Sequence, residues 1–248
     1  MISIEIHKLK YYHLGFGKSV SRSNLANPNE KRNYKIFEEL AYHLIDEAKR
    51  CCTVNDFELD IEENVYAFDS TTIDLCLSVF WWTKFSKTKA GIKLHALFDV
   101  KTSIPGYIHI LKASFHDVNP LDLLFFEPGS YYIIDRTYVD FRRLYNIHTN
   151  NAFFVTRAKS NLKFKRMYSN KACKEKGNLC NQISKLQGFY SAKEYPSKLR
   201  RIKYYDDENN STFVFITNNF ELEDTEIALV YKYRWKIELF FKWIKQHL

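Results

Sequence analysis

Three acidic residues stand where they could act together. Asp69 closes the short apolar run Tyr66-Ala-Phe-Asp, and Asp135 closes a second, Tyr132-Ile-Ile-Asp. Glu238 belongs to a C-terminal series, Tyr231, Arg234, Glu238, Lys242 and Lys245, spaced 3, 4, 4 and 3. That spacing lines one face of an α-helix. Three carboxylates at one point repel one another unless a cation lies among them, and hard oxygen donors suit Mg²⁺ or Mn²⁺. Two such ions about 3.5–4 Å apart activate a nucleophile and stabilise the leaving oxygen of a phosphodiester. Each feature also has a plainer reading. Turns favour Asp at strand ends. A polar helix stripe is the ordinary solvent face of an amphipathic helix, with i,i+4 ion pairs each worth a few tenths of a kcal/mol.

The elements around these residues decide whether they can meet. Asn33 to Cys51 has helical spacing, and Thr53 to Glu63 is a polar connector. Strands are expected at 64–69, 91–100 and 107–111, the last two forming an antiparallel hairpin across Thr102-Ser-Ile-Pro-Gly. A helix should follow from Asn119, with Pro120 at its first position. A strand at 131–135, a helix at 138–148, strands at 152–156 and 212–217, and one long helix from Glu221 to Leu248 complete the order. Such a series makes a mixed sheet with helices packed on it. Asp69 and Asp135 share an edge if their strands run parallel. Asp99 also ends a strand but leads into the hairpin turn, so it should lie at the opposite edge.

The 248 residues carry 46% hydrophobic and 27% charged side chains, which excludes wholesale disorder. No apolar run approaches the roughly 18 residues of a membrane span. The first residues do not read as a signal peptide, so a cytoplasmic protein is expected. Five cysteines read as reduced thiols, and Cys173 and Cys180 lack the companions of a zinc site. Net charge is +8, and it is uneven: residues 157–203 hold 14 Lys or Arg against Glu175 and Glu194, +12, leaving −4 for the remainder. Such a segment is either a polyanion-binding surface or a solvated Lys-rich insertion.

The pattern Tyr231-x2-Arg234-x3-Glu238-x6-Lys245 resembles the Tyr-Arg-Glu-Lys signature of DDE transposases of the insertion-sequence 4 family. Asp69-Ser-Thr and Asp135-Arg-x-Tyr resemble their first two catalytic motifs, and the separations of 66 and 103 residues are compatible. The resemblance covers residues 64–248 and, more loosely, the helical stretch before them. It implies an α/β (α+β) core of ribonuclease-H-like form, a mixed five-stranded sheet flanked by helices, with a β-rich basic insertion at 157–220. Residues 1–63 would be a helical, partial DNA-binding region. The implied activity is cleavage at insertion-sequence ends and strand transfer into target DNA, with terminal inverted repeats and target DNA as partners and a homodimer in the synaptic complex. It also implies Asp69, Asp135 and Glu238 as ligands of Mg²⁺ or Mn²⁺, two ions. Arg234, Lys242 and Lys245 would contact DNA, with Tyr231 on or beside the phosphate backbone. His116-Asp117 would be a supporting pair, and an aromatic of the insertion could stack on a flipped base. Location with the bacterial nucleoid follows.

Two departures accompany the resemblance. Thr137 stands where Gly is usual, which implies strain if that backbone needs a positive φ. The chain also stops three residues after Lys245, and family members continue there and begin with a longer DNA-binding region, so a core trimmed at both ends, weak in transposition, is expected. The competing readings are a metal-dependent nuclease of the same fold and a non-catalytic DNA-binding remnant.

Overall fold

In the computed structural model the described residues are 31–51, 57–75, 90–112, 119–172 and 174–247, with four isolated positions before them. The chain separates into Met1–Cys51 and Cys52–Leu248. Helix α1, Lys35–Cys51, carries the expected helical period. The Asn33 side chain accepts from the Lys35 N–H at 3.0 Å, and Lys49 and Arg50 stand in the last turn, where cations favour the helix dipole.

The second unit is built on one mixed sheet. Its strands are β1 (Val65–Leu75), β2 (Ala90–Asp99), β3 (Ile104–Lys112), β4 (Tyr131–Ile134), β5 (Phe153–Arg157), β6 (Phe164–Asn170), β7 (Asn178–Leu186), β8 (Leu199–Asp206) and β9 (Ser211–Thr217). The spatial order is β3-β2-β1-β4-β5-β9-β8-β7-β6. The first five strands are the expected meander and crossover. Among the described residues the sheet nevertheless has nine strands, not five. β9 pairs antiparallel with β5, Val155 opposite Thr217, and the rest of the segment adds outward from it. The ladder of β5 would otherwise end as an open edge, so the basic segment extends the sheet instead of standing apart from it.

Alternation along the strands divides the core between the two faces. Val65, Ala67, Tyr131, Ile133, Val155 and Phe215 pack with Ile227, Val230, Ile237 and Phe241 of the C-terminal helices. Tyr66, Phe68, Tyr132, Ile134 and Phe154 pack on the other face with Leu144 and Ile147 of α2 (Phe141–Thr149). A short helix α3, Phe189–Glu194, lies between β7 and β8.

The helix expected from Asn119 is a single 3-10 stretch, Asn119–Leu123. Pro128 restricts the residue before it to extended backbone, which limits any helix there. The Arg143 guanidinium of α2 clamps Asp122 in that stretch at 2.6 Å and Asp140 at 3.0 Å. The long C-terminal helix is in fact two, α4 (Asp224–Lys232) and α5 (Trp235–His247). At the break, Arg234 N–H bonds the Tyr231 carbonyl at 3.1 Å and Ile237 N–H bonds the Arg234 carbonyl at 3.2 Å. These i to i−3 bonds tighten the chain by one 3-10 turn. Tyr233 is turned toward Phe57, ring centroids 4.8 Å apart, and its hydroxyl accepts from Glu58 N–H at 2.8 Å. The His116-Asp117 pair, and all but isolated positions of the stretch that follows Ser21, lie outside the described residues.

Candidate active site

β1 and β4 run parallel, with Phe68 opposite Ile134 as the last pair of their ladder. Asp69 and Asp135 follow directly, side by side at the carboxyl edge. Asp99 pairs with Tyr66 at the other end of β1, as its place before the hairpin turn requires. Asp69 does not end its strand, however. β1 continues to Leu75 along β2, while β4 stops at Ile134. The apolar run stops at Asp69 because burial stops there, not because the strand does. The result is a notch in the sheet: past Phe68, one side of β1 has no strand partner among the described residues.

Asp135 turns the chain out of β4. Its carboxylate caps the 3-10 turn Arg136–Tyr138, accepting from the Thr137 N–H and hydroxyl, both at 2.9 Å. Thr137 sits in this turn and is not among the positive-φ residues Ser103, Asn151 and Asn210, so the strain expected from a β-branched residue does not arise. The next residue, Tyr138, donates its hydroxyl to Ser70. It also packs edge-on to Phe68, centroids 5.1 Å apart, which fixes the turn against β1.

The third acid comes from across the helix break. The Arg234 guanidinium reaches Glu238 at 2.7 Å, Asp69 at 3.1 Å and Asp135 at 3.9 Å. Carboxylates from a strand, a turn and a helix therefore surround one half-buried cation. Tyr231 supports it. The Tyr231 ring is buried against Phe215, centroids 5.0 Å apart, and lies under the guanidiniums of Arg234 and Arg157 at 5.7 and 5.8 Å. Lys242 and Lys245 line the cleft on the helix side with Asp69, Thr71 and Glu238.

The two aspartates are held in different states. Burial pushes Asp69 up to about 6, and the neighbouring Asp135 and Glu238 add to the rise, against the Ser70 N–H and Arg234, which oppose it. Burial is also the largest effect on Asp135, but the two bonds from Thr137 together with Arg234 outweigh it and leave its carboxyl below the usual range. For Arg234, burial disfavours the charge, and Tyr231 and the three acids more than restore it.

Three hard-oxygen donors at one edge suit a divalent cation in chemical type and placement. Among the described residues, no three acidic, histidine or cysteine side chains form a ready-made metal cage. The guanidinium lies between the acids, so an ion held by all three would take its place. Two residues at this edge escaped the reading of the sequence. Arg157 follows the Ile134–Thr156 pair of the β4–β5 ladder and so stands beside Asp135. Lys93 lies opposite Thr72 and lines the same cleft as the acids.

The transposase DDE domain family matches residues 60–248. The chain is 32% identical over 183 residues to a Sinorhizobium fredii protein named as transposase y4zB, covering 73% of this chain and 51% of that protein. It is 26% identical to a protein of Geobacillus stearothermophilus named as transposase for the insertion sequence element IS5377, over 73% of this chain and 47% of that one. It is also 26% identical to a Synechocystis protein named for the element IS4SA, over 94% and 64%. The chain thus spans about half to two thirds the length of these curated relatives.

Proposed function

Because this chain belongs to the DDE-domain transposase family, we propose that it cleaves DNA at the ends of an insertion sequence and transfers the freed strand to target DNA. The observation that carries this reading is the meeting of Asp69, Asp135 and Glu238 on one guanidinium at the notch in the sheet. In this reading β1 to β5 are a ribonuclease-H-like core, residues 1–63 are part of a DNA-binding region, and the acting species on paired inverted repeats is a homodimer. No helix among the described residues is long and apolar enough to cross a membrane.

Asp69, Asp135 and Glu238 would hold Mg²⁺ or Mn²⁺, one or two ions. A cation held by these residues would neutralise charge on the scissile phosphate and activate the attacking oxygen. The protein's own part is positional. Asp135 is kept ionised by its cap bonds. Tyr231 carries the Arg234 guanidinium over its face, where its planar fork would suit a phosphate brought to the acids. Lys242 and Lys245 hold the DNA backbone beside the acids. Incubating the chain with DNA carrying the element's ends and Mg²⁺ tests the reading. Joined products support it, and cleavage without joining identifies a nuclease instead.

Metal uptake should depend on pH through Asp69. Its carboxyl sits near 6 in the metal-free protein, so below that value a proton must leave before the oxygen can ligate. Mn²⁺ affinity is therefore expected to be level above about pH 7 and to fall up to roughly tenfold per unit below about pH 6. Calorimetry in buffers of different ionisation heat reads the released proton; affinity flat from pH 5 to 8 removes Asp69 from the ligand set.

The basic segment should supply non-specific affinity. Lys159, Lys163, Lys165, Arg166, Lys171, Lys174, Lys176, Lys185, Lys193 and Lys198 are exposed, whereas Arg200 is buried and bonds Asn181 and the Leu222 carbonyl. With about six phosphate contacts, affinity should fall by about a thousandfold between 50 and 200 mM salt. Neutralising Lys165, Arg166, Lys171 and Lys198 together should flatten that dependence. An unchanged salt slope in that variant places the contact surface elsewhere.

A further inference from the structure

We infer that Lys93 is a DNA-positioning residue that grips a backbone phosphate on the side of the acids away from α5, so that the bound strand is held on both flanks of the point of cleavage. This rests on the transposase reading above. Past Phe68, β1 has lost β4, and its side chains alternate to either side of an open edge. Two clefts flank that edge. One, of about 430 Å³, is the helix-side cleft with Lys242 and Lys245. The other, of about 370 Å³, is lined by Thr72, Lys93 and Thr137. Asp69, Ser70 and Glu238 line both, so the two clefts form one groove crossing over the acids.

The groove is acidic at its centre and carries a cation at each end. Arg234 offsets only part of the charge of the three carboxylates, so a strand with one negative charge per nucleotide needs cations on both flanks. Lys242 and Lys245 supply them on one side only. On the other, Lys93 stands with the Thr72 hydroxyl, a donor type that contacts phosphate oxygens. Its support is rigid. β2 is paired on both sides, Lys93 facing Thr72 on β1 and Leu111 on β3. Two residues along the same strand, His95 is fully buried, stacked on Phe68 at 6.3 Å and edge-on to Tyr138 at 6.5 Å. Tyr138 in turn donates to Ser70 on the groove wall. The floor beneath Lys93 is thus fixed to the turn that carries Asp135. Held on a strand paired on both sides, Lys93 sets the register of the DNA strand against the acids.

The test is binding of the full chain to a 30-base-pair duplex of mixed sequence, without divalent metal, across a salt series. For K93M the log–log slope should be shallower than wild type by about 0.9, and affinity at 0.1 M salt lower by roughly eightfold. K93R, which keeps the charge, should restore both. In metal-dependent nicking, K93M should raise KM more than it lowers kcat. A melting temperature equal to wild type separates this from a folding defect, and K93Q takes the place of K93M should that variant melt early. Wild-type chain that binds DNA with the usual salt dependence, together with an unchanged slope in K93M and a reduced slope in K242M, overturns the role of Lys93 and leaves the transposase reading standing. Wild-type chain with no salt-dependent affinity for DNA overturns the reading itself.

Discussion

Replacing Arg234 with alanine is expected to destabilise the metal-free protein by about 3 kcal/mol, because it strips the cation from a cluster of partly buried carboxylates. Arg234 and Asp69 side chains are each 17% exposed and Glu238 is 37% exposed, so solvent screens part of the repulsion and the figure sits at the low end for a broken buried pair. At about 2–4 °C per kcal/mol for a unit of this size, the melting temperature should drop by roughly 6–12 °C. The informative part is the response to metal. In the wild-type chain an ion must displace the guanidinium, whereas in R234A the acids are already vacant and mutually repelling. Mn²⁺ should therefore raise the melting temperature of R234A more than that of wild type and bind it more tightly. R234K, a point charge that cannot reach three carboxylates as a fork does, should fall between them. If R234A is as stable as wild type without metal, the guanidinium does not hold the cluster together.

The second large effect concerns Asp135. D135N keeps the side-chain oxygen that accepts from the Thr137 N–H and hydroxyl, so the turn out of β4 should survive and the melting temperature should change little. It removes one of the three charges that hold the ion. Cleavage should fall by about a thousandfold, equivalent to about 4 kcal/mol of transition-state stabilisation. DNA affinity should hold or rise, because a negative charge near the phosphate path is gone. Nicking assays under single-turnover conditions separate the two quantities. A tenfold loss or less in cleavage would remove Asp135 from the catalytic centre.

The pairing of Asp69 with Asp135, and the exclusion of Asp99, could be read from the sequence because both depend on strand direction, and strand direction follows from loop type. A four-residue connection, 100–103, makes β2 and β3 antiparallel, β2 runs antiparallel to β1 and so carries Asp99 to the far edge, and the helix between β4 and β5 makes that pair parallel. The residue types at 231, 234, 238, 242 and 245 also carried their spacing into the structure, since a one-turn 3-10 tightening at Tyr233–Arg234 shifts phase too little to scatter them. That break itself was not legible. It depends on Tyr233 finding Phe57 and Glu58, 175 residues away in the case of the hydrogen bond. The extent of the sheet was hidden for a related reason. Short, basic, aromatic strands carry little period of their own, and only the free edge of β5 decides that they join it. Asp69 looked like a strand end because hydrophobicity reports burial, and at the notch burial ends seven positions from the end of the ladder. The same blind spot hid Lys93, whose place in the groove follows from register with Thr72 and from nothing in its own neighbourhood.

The claim at the centre of this account is that Asp69, Asp135 and Glu238 form a divalent-metal site now filled by the Arg234 guanidinium. Anomalous diffraction at the manganese edge, from crystals of the full chain grown with Mn²⁺, tests it most directly. The account predicts a peak enclosed by the three carboxylates, with the Arg234 side chain swung away from Asp69. An empty notch with the guanidinium still seated on Asp69 and Glu238 at saturating Mn²⁺, or a peak bound by other residues, would contradict it.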